Sequence, residues 1–369
     1  MDMKSRSGVE REMVKDPVTE RSLWRLTNIS GAHDIQPYYD IDSWSPDGSK
    51  IIFSSASVES LREEGPMMVS DEGHIYTMDT KTWEIRWLIG NQRFDSHTGC
   101  YPIWHPGGKW MLFGSGSREK NDLRLSITDL ATMKTEEYEG LRPRQISPDG
   151  KKVLCFSIEG VRLFDFESRT SKVILTFQQC IDIIPEKVPP DGTAWVFANL
   201  KFNQDGTKFM LRFSTQSEIA KHLMVANIDG TGLTRMNTPS YRWHHHSWLP
   251  NKRSILFGDR DSQGVPHLYQ IDCDSTNLKM ISGHRLAGHP HSSPDGSRIV
   301  TDENANKEMG LGIYLLDIAT DKLERLASVT MNFKRSNAHP VWNHEGTQIL
   351  YHSDHMGFSN LYLIELNNG

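Results

Sequence analysis

The chain has 369 residues and a formal charge of −6, with 37% hydrophobic and 24% charged residues, the balance of an ordinary soluble globular protein. That acidic excess gives no general attraction to nucleic acid or to an anionic membrane, and no stretch reaches the roughly 18 consecutive apolar residues of a membrane-spanning helix. The four cysteines, Cys100, Cys155, Cys180 and Cys273, are far apart and form no CxxC pair, which argues against a zinc-thiolate motif or a disulfide framework and predicts buried free thiols.

At the N-terminus, MDMKSRSGVEREMVKDP is charged throughout and lacks the apolar run of a secretory signal, so a cytoplasmic location is expected. Residues 1–18 show no strand period and read as an arm, and removal of residues 1–15 is expected to matter little. Everything from 19 to 369 reads as one domain. Ser22–Thr27 (SLWRLT) resembles the last strand of a later repeat, LERLAS, and is predicted to close the structure.

From there one phrase recurs, an apolar or aromatic residue followed by a Pro/Asp/Gly turn and a short apolar strand. It stands at Trp44 (WSPDG), Trp104 (WHPGG), Ile146 (ISPDG), Phe202 (FNQDG), Trp248 (WLPNK), Ser292 (SSPDG) and Trp342 (WNHEG), at spacings of 42 to 60 residues. That is the period of a four-stranded propeller blade, whose faces are covered only by neighbouring blades. The strands between the turns alternate or run apolar for four to eight residues, with no twelve-residue helical pattern. The segment 180–193 of the fourth repeat is longer and carries three prolines, and is predicted to be a loop over one face. The last repeat supplies HPVW, TQILYHSD and NLYLIEL and lacks a fourth strand. The fold class is therefore all-β, a seven-bladed β-propeller closed by an N-terminal strand, which also removes an exposed edge.

Overlaying the seven phrases aligns Ile41, Tyr101, Pro143, Asn199, His245, His289 and His339, each three residues before the reference position. Three successive blades thus place histidine at one level of the inner strand, where imidazoles can share a divalent ion. His291 shares a face with His289 by strand alternation. The run Trp243–Trp248 offers His245 to one face, and His244 with His246 to the other. The tryptophans of the phrase read as packing residues between blades. Arg144, Arg212, Arg242 and Arg335 are the cations nearest these strands, and a planar guanidinium suits a carboxylate. Arg144, Arg242 and Arg335 with Tyr101 form the candidate substrate-binding set, and Arg212 is the candidate catalytic cation.

The combination YRWHHHSW, GHPHSSPDGSRIVTDE and NAHPVWNHEGTQILYHSDHMGFSNLYLIEL resembles the oligogalacturonate lyases, within the broader TolB-like propellers, over 239–366. The resemblance implies β-elimination on short uronic-acid oligosaccharides. It also implies a divalent ion, manganese by preference, held by histidines of two late blades and a glutamine, with a separate histidine as base. Residue by residue, His289 or His291 matches the first ligand and His339 the first histidine of the final motif. Where the family has its glutamine and its other histidine, this chain has Ser336 and Val341, and His245 and Asn337 are the nearest substitutes by spacing. The base falls among His244, His245 and His246, with Arg212 and Arg335 neutralising the uronate. The expected partner is an acidic oligosaccharide, and the protein is expected to be a monomer or small homo-oligomer. No serine elbow, P-loop or HExxH motif is present. A non-catalytic propeller that binds a protein or glycan is the competing class, and a hydrolase would need opposed carboxylates, for which Asp42 and Asp95 are the candidates.

Overall fold

The computed structural model describes residues 3–115, 122–240, 245–304, 310–332 and 337–366. The described chain is all-β, 51% strand and 4% helix, and forms a seven-bladed β-propeller. It divides into two compact units. One holds residues 1–115, 127–134 and 291–369, and the other 116–126 and 135–290. The division falls within the second sheet, built on Ile103–Trp104 and Trp110–Ser115.

In the first unit, the first sheet runs Ser7–Val9, Glu84–Asp95, Met67–Asp79, Lys50–Ser57 and Ala32–Ile35, with Arg62–Glu64 hooked onto Met67–Asp79. The sixth sheet is His291–Ser292, Arg298–Thr301, Gly312–Asp317 and Lys322–Ser328. In the seventh, Val341–Trp342, Gln348–Ser353 and Asn360–Glu365 are followed by Ser22–Arg25, with Trp24 opposite Leu363. The expected closure by an N-terminal strand is present. The second unit holds the third, fourth and fifth sheets, which begin at Arg142, Trp195 and His246.

The repeated phrase works as a hydrogen-bonded device. In ISPDG the Ser147 hydroxyl donates to Asp149 at 2.6 Å and accepts from the Lys152 amide at 2.9 Å, while the Gly150 amide donates to the Ser147 carbonyl. Gly150 has φ of 73°, a conformation that glycine adopts without steric penalty. Ser45 and Ser293 repeat the arrangement. Asn203 and Asn343 replace the serine with an amide oxygen that accepts from Lys208 and Gln348. The phrase tryptophans tie blade to blade: Trp104, Trp248 and Trp342 donate from Nε1 to the carbonyls of Ser43, Lys201 and His291. Apolar side chains fill the spaces between sheets. Phe209, Leu211 and Phe213 pack with Leu154 and Phe197 in one unit, and Trp342, Ile349 and Tyr351 with Val300 and Ile313 in the other. Cys100, Cys155 and Cys180 are buried free thiols, and Cys273 is a half-buried one.

Two expectations are corrected. Residues 1–18 are not an unstructured arm: Ser7–Val9 edges the first sheet against Glu84–Arg86, and Glu12–Lys15 pairs with Ser22–Arg25 on the seventh. Between them Arg11 lies 3.3 Å from the Trp24 ring centre and 4.3 Å from that of Trp83. Arg6 is fully buried, gripping Asp34 with two bonds of 2.7 and 2.8 Å and Glu10 with two more. Burial opposes that cation, but Asp34 and Glu10 overcome the penalty and raise its pKa. These short, charged strands escape a periodicity search because their side chains pair with ions and rings instead of alternating into a core. In the fourth repeat the long connection begins with a helix, Phe177–Asp182, whose Thr176 and Gln179 form a reciprocal capping box.

Candidate active site

In the second unit, the strand that begins at His246 carries the histidine run. His245, just before it, is half-buried. Its Nδ1–H donates to the Gly288 carbonyl at 3.0 Å, and two residues on, the Ser247 hydroxyl donates to the Pro290 carbonyl at 3.1 Å. Those two bonds pin Gly288-His289-Pro290 at both ends and hold the His289 ring against His245, with ring centres 3.9 Å apart. Because a carbonyl only accepts, the neutral His245 ring carries its proton on Nδ1 and presents Nε2 as the basic nitrogen.

His246 is different in kind. It is fully buried, its Nε2–H donates to the Asn199 carbonyl at 3.2 Å, and its own carbonyl accepts from Lys201 Nζ. Burial, with Lys201 and Arg212 nearby, holds its pKa well below the usual histidine range. A ring without solvent access cannot reach a substrate, so His246 is corrected to a structural residue. Asn199, the aligned residue of the fourth blade, adopts φ of 52° beside a break in strand register. Arg212 points from the same sheet, is bonded to Glu218 at 2.9 Å, and is close enough to act on His246.

The first unit holds a second group around His339, which is fully buried with φ of 48°. Its ring packs 4.7 Å from Tyr38, 5.0 Å from His97 and 5.5 Å from His352, centre to centre. Gln36 organises the cluster: its amide donates to the carbonyls of Ala338 and His339, and its oxygen accepts from His352 Nδ1. The His339 amide donates to buried Asp302. Tyr38, His97, Gln36 and His352 were missed in the sequence because none sits at the repeat position. The pattern Gln-Pro-Tyr-Tyr beside a polar turn, DSHTG, was the available signal.

The remaining expectations divide. His291 turns its Nδ1 to the Trp342 amide and lies in the first unit, as do His339 and half-buried Asn337. Among the described residues, no group of three His, Cys, Asp or Glu side chains is arranged to hold a metal ion. Of the expected ligand set, His245 and His289 lie in the second unit and His291, His339 and Asn337 in the first. Tyr101 is 1% exposed and Arg144 is buried over the Phe156 ring, which corrects both as substrate contacts. Arg242, His244, Arg335 and Ser336 lie outside the described residues. The carboxylates a hydrolase would need are occupied: Asp42 pairs with His344 at 2.6 Å, and Asp95 accepts from the amides of His97 and Thr98.

No family model matches this chain, and no curated protein matches it. Its fold is shared with solved structures. An oligogalacturonate lyase in complex with manganese superposes with a TM-score of 0.75 at 17% identity, covering 99% of this chain and 98% of that one. The oligogalacturonate lyase of Vibrio parahaemolyticus gives 0.76 at 15% identity, with 99% of both chains covered. The β-propeller domain of the trilobed protease from Pyrococcus furiosus gives 0.57 at 13% identity, over 92% of this chain and 97% of that one. At these identities the likeness establishes the propeller fold. No helix among the described residues is long and apolar enough to cross a membrane.

Proposed function

We infer that the protein is a lyase that cleaves short, acidic, uronic-acid-containing oligosaccharides by β-elimination, with His245 as the base. The observation that carries this reading is the anchored, half-exposed His245 ring, with its basic Nε2 fixed by the Gly288 carbonyl. The full-length fold likeness to oligogalacturonate lyases supports it. A uronate bears an acidic hydrogen at C5, α to its carboxylate. His245 Nε2 takes that proton, the electron pair becomes the C4–C5 double bond, the C4–O4 bond breaks, and the departing sugar oxygen takes a proton from solvent water. Arg212 is the described cation suited to balancing charge on the uronate carboxylate. A cytoplasmic location and an acidic oligosaccharide partner belong to the same proposal.

A panel of oligogalacturonates and other oligouronides, incubated with the protein with and without added manganese, tests the reading through the ultraviolet absorbance of the conjugated product. Absorbance should rise with at least one member. Tight binding of an intact glycan with no chromophore under any condition would replace the lyase by a binding propeller.

A further inference from the structure

The first sheet is built unlike the others. Met67–Asp79 and Glu84–Asp95 run for 13 and 12 residues, and Arg62–Glu64 adds a hook. The long pair loses register at Ser70/Gly73, Gly73/Ile75 and Ile75/Tyr76. Such breaks with glycine mark places where strands open beside a site. Gly90 shows why glycine is needed: a Cβ there would lie 2.7 Å from His74 Nδ1, and at Gly73 one would lie 2.7 Å from Phe94. The room left by Gly90 admits the His74 ring, which accepts a hydrogen bond from Trp87 Nε1 at 3.1 Å. In the neutral His74 ring the proton therefore sits on Nε2.

Above this pair opens a cavity of about 760 Å³, within the range of small-molecule sites. Its wall is held in place by its own bonds. The Ser60 hydroxyl donates to the Ser57 carbonyl and pairs with the Ser70 hydroxyl, which accepts from the Glu72 amide. Donors (Lys4, Asn91, His74) and acceptors (Glu59, Glu72) face the same space. Asp71 is balanced by Arg62 and Arg93, whereas Glu59 and Glu72 make no ion pair among the described residues. Two carboxylates against one lysine disfavour an anion, and carboxylates beside amide and imidazole donors match vicinal hydroxyls, each of which both donates and accepts.

The geometry points to a second carbohydrate site in the first blade that takes a neutral, polyhydroxylated sugar and discriminates against its uronic acid. It goes beyond the lyase reading and does not depend on it. Galactose and galacturonate, which share ring stereochemistry and differ by the C6 carboxylate, are the probes. Calorimetric titration of the full chain should give saturable galactose binding that weakens roughly three- to tenfold in Asn91→Ala, the loss expected for one hydrogen bond in an open polar site. The heat lost in that variant defines this pocket. Galacturonate should bind the same pocket at least about tenfold more weakly than galactose, and the double change Glu59→Gln with Glu72→Gln should narrow the gap. Oligouronide cleavage should be unchanged in all these variants, which separates this site from the proposed active site. Absence of saturable galactose binding, equal affinity in Asn91→Ala, or a gap untouched by the double change would each overturn the inference.

Discussion

His245 and His339 occupy the same position of the repeated phrase, yet they meet opposite surroundings. His245 is half-exposed, tied through one ring nitrogen to a carbonyl and laid against a second imidazole. His339 is sealed, with a left-handed backbone, among Tyr38, His97 and His352. A repeat thus fixes where a side chain starts, while residues outside the repeat decide what it is able to do. Around His339, Gln36 and Tyr38 come from the segment that follows Ala32–Ile35, and Arg6 holds that segment through Asp34.

The comparison is broken most forcefully at that anchor. Replacing Arg6 by alanine leaves Asp34 buried and uncompensated, and chemical denaturation should report a loss of about 3–5 kcal/mol. Because Asp34 and Gln36 share one short segment, the loss should be non-additive with His339→Ala and additive with His245→Ala. Full stability in Arg6→Ala would mean that the N-terminal strands are ornamental after all. His339→Ala alone empties a closed space and should cost about 2–4 kcal/mol, by analogy with other large-to-small core changes. His245→Ala, at a half-exposed site, should move the midpoint much less, and the reverse order would abolish the contrast.

The smallest expected effect concerns a third histidine. His344 has its pKa raised above 6.5 by its hydrogen bond to Asp42. A raised folded pKa gives stability that is complete below about 6.5 and is lost as pH rises through the folded value. Both side chains are at least a third exposed, so the contribution should stay below about 1 kcal/mol. The melting difference between the protein and His344→Gln should shrink from pH 6 to pH 8 and should diminish in high salt. Buried His33, held near 4 by desolvation, acts the other way: its neutral folded form costs stability as pH falls from about 6.5 towards that value. A His344→Gln difference that grows with pH would refute the first assignment.

The propeller was legible because its determinants are local. A serine or asparagine, an aspartate and a glycine build each turn with bonds spanning two to five residues, and the following strand needs only apolar alternation. Closure by Ser22–Arg25 was legible for the same reason. What the sequence hid is non-local. Gln36 reaches Ala338 and His339 across some 300 positions, and Arg6 reaches Asp34 across 28. Alternation put His245 and His246 on opposite faces without saying which face is sealed, and burial under Asn199 and Lys201 is what removes His246 from chemistry. The shared register of His245, His289 and His339 likewise said nothing of the surroundings each ring would meet.

The most direct measurement is the rate of unsaturated-product formation from an oligouronide by the protein and by His245→Ala, with substrate binding followed in parallel by calorimetry. Loss of a general base should lower kcat by roughly 10²–10⁴ while leaving the dissociation constant within a few-fold. A His245→Ala protein that forms product at the unaltered rate would contradict the assignment of that ring as the base.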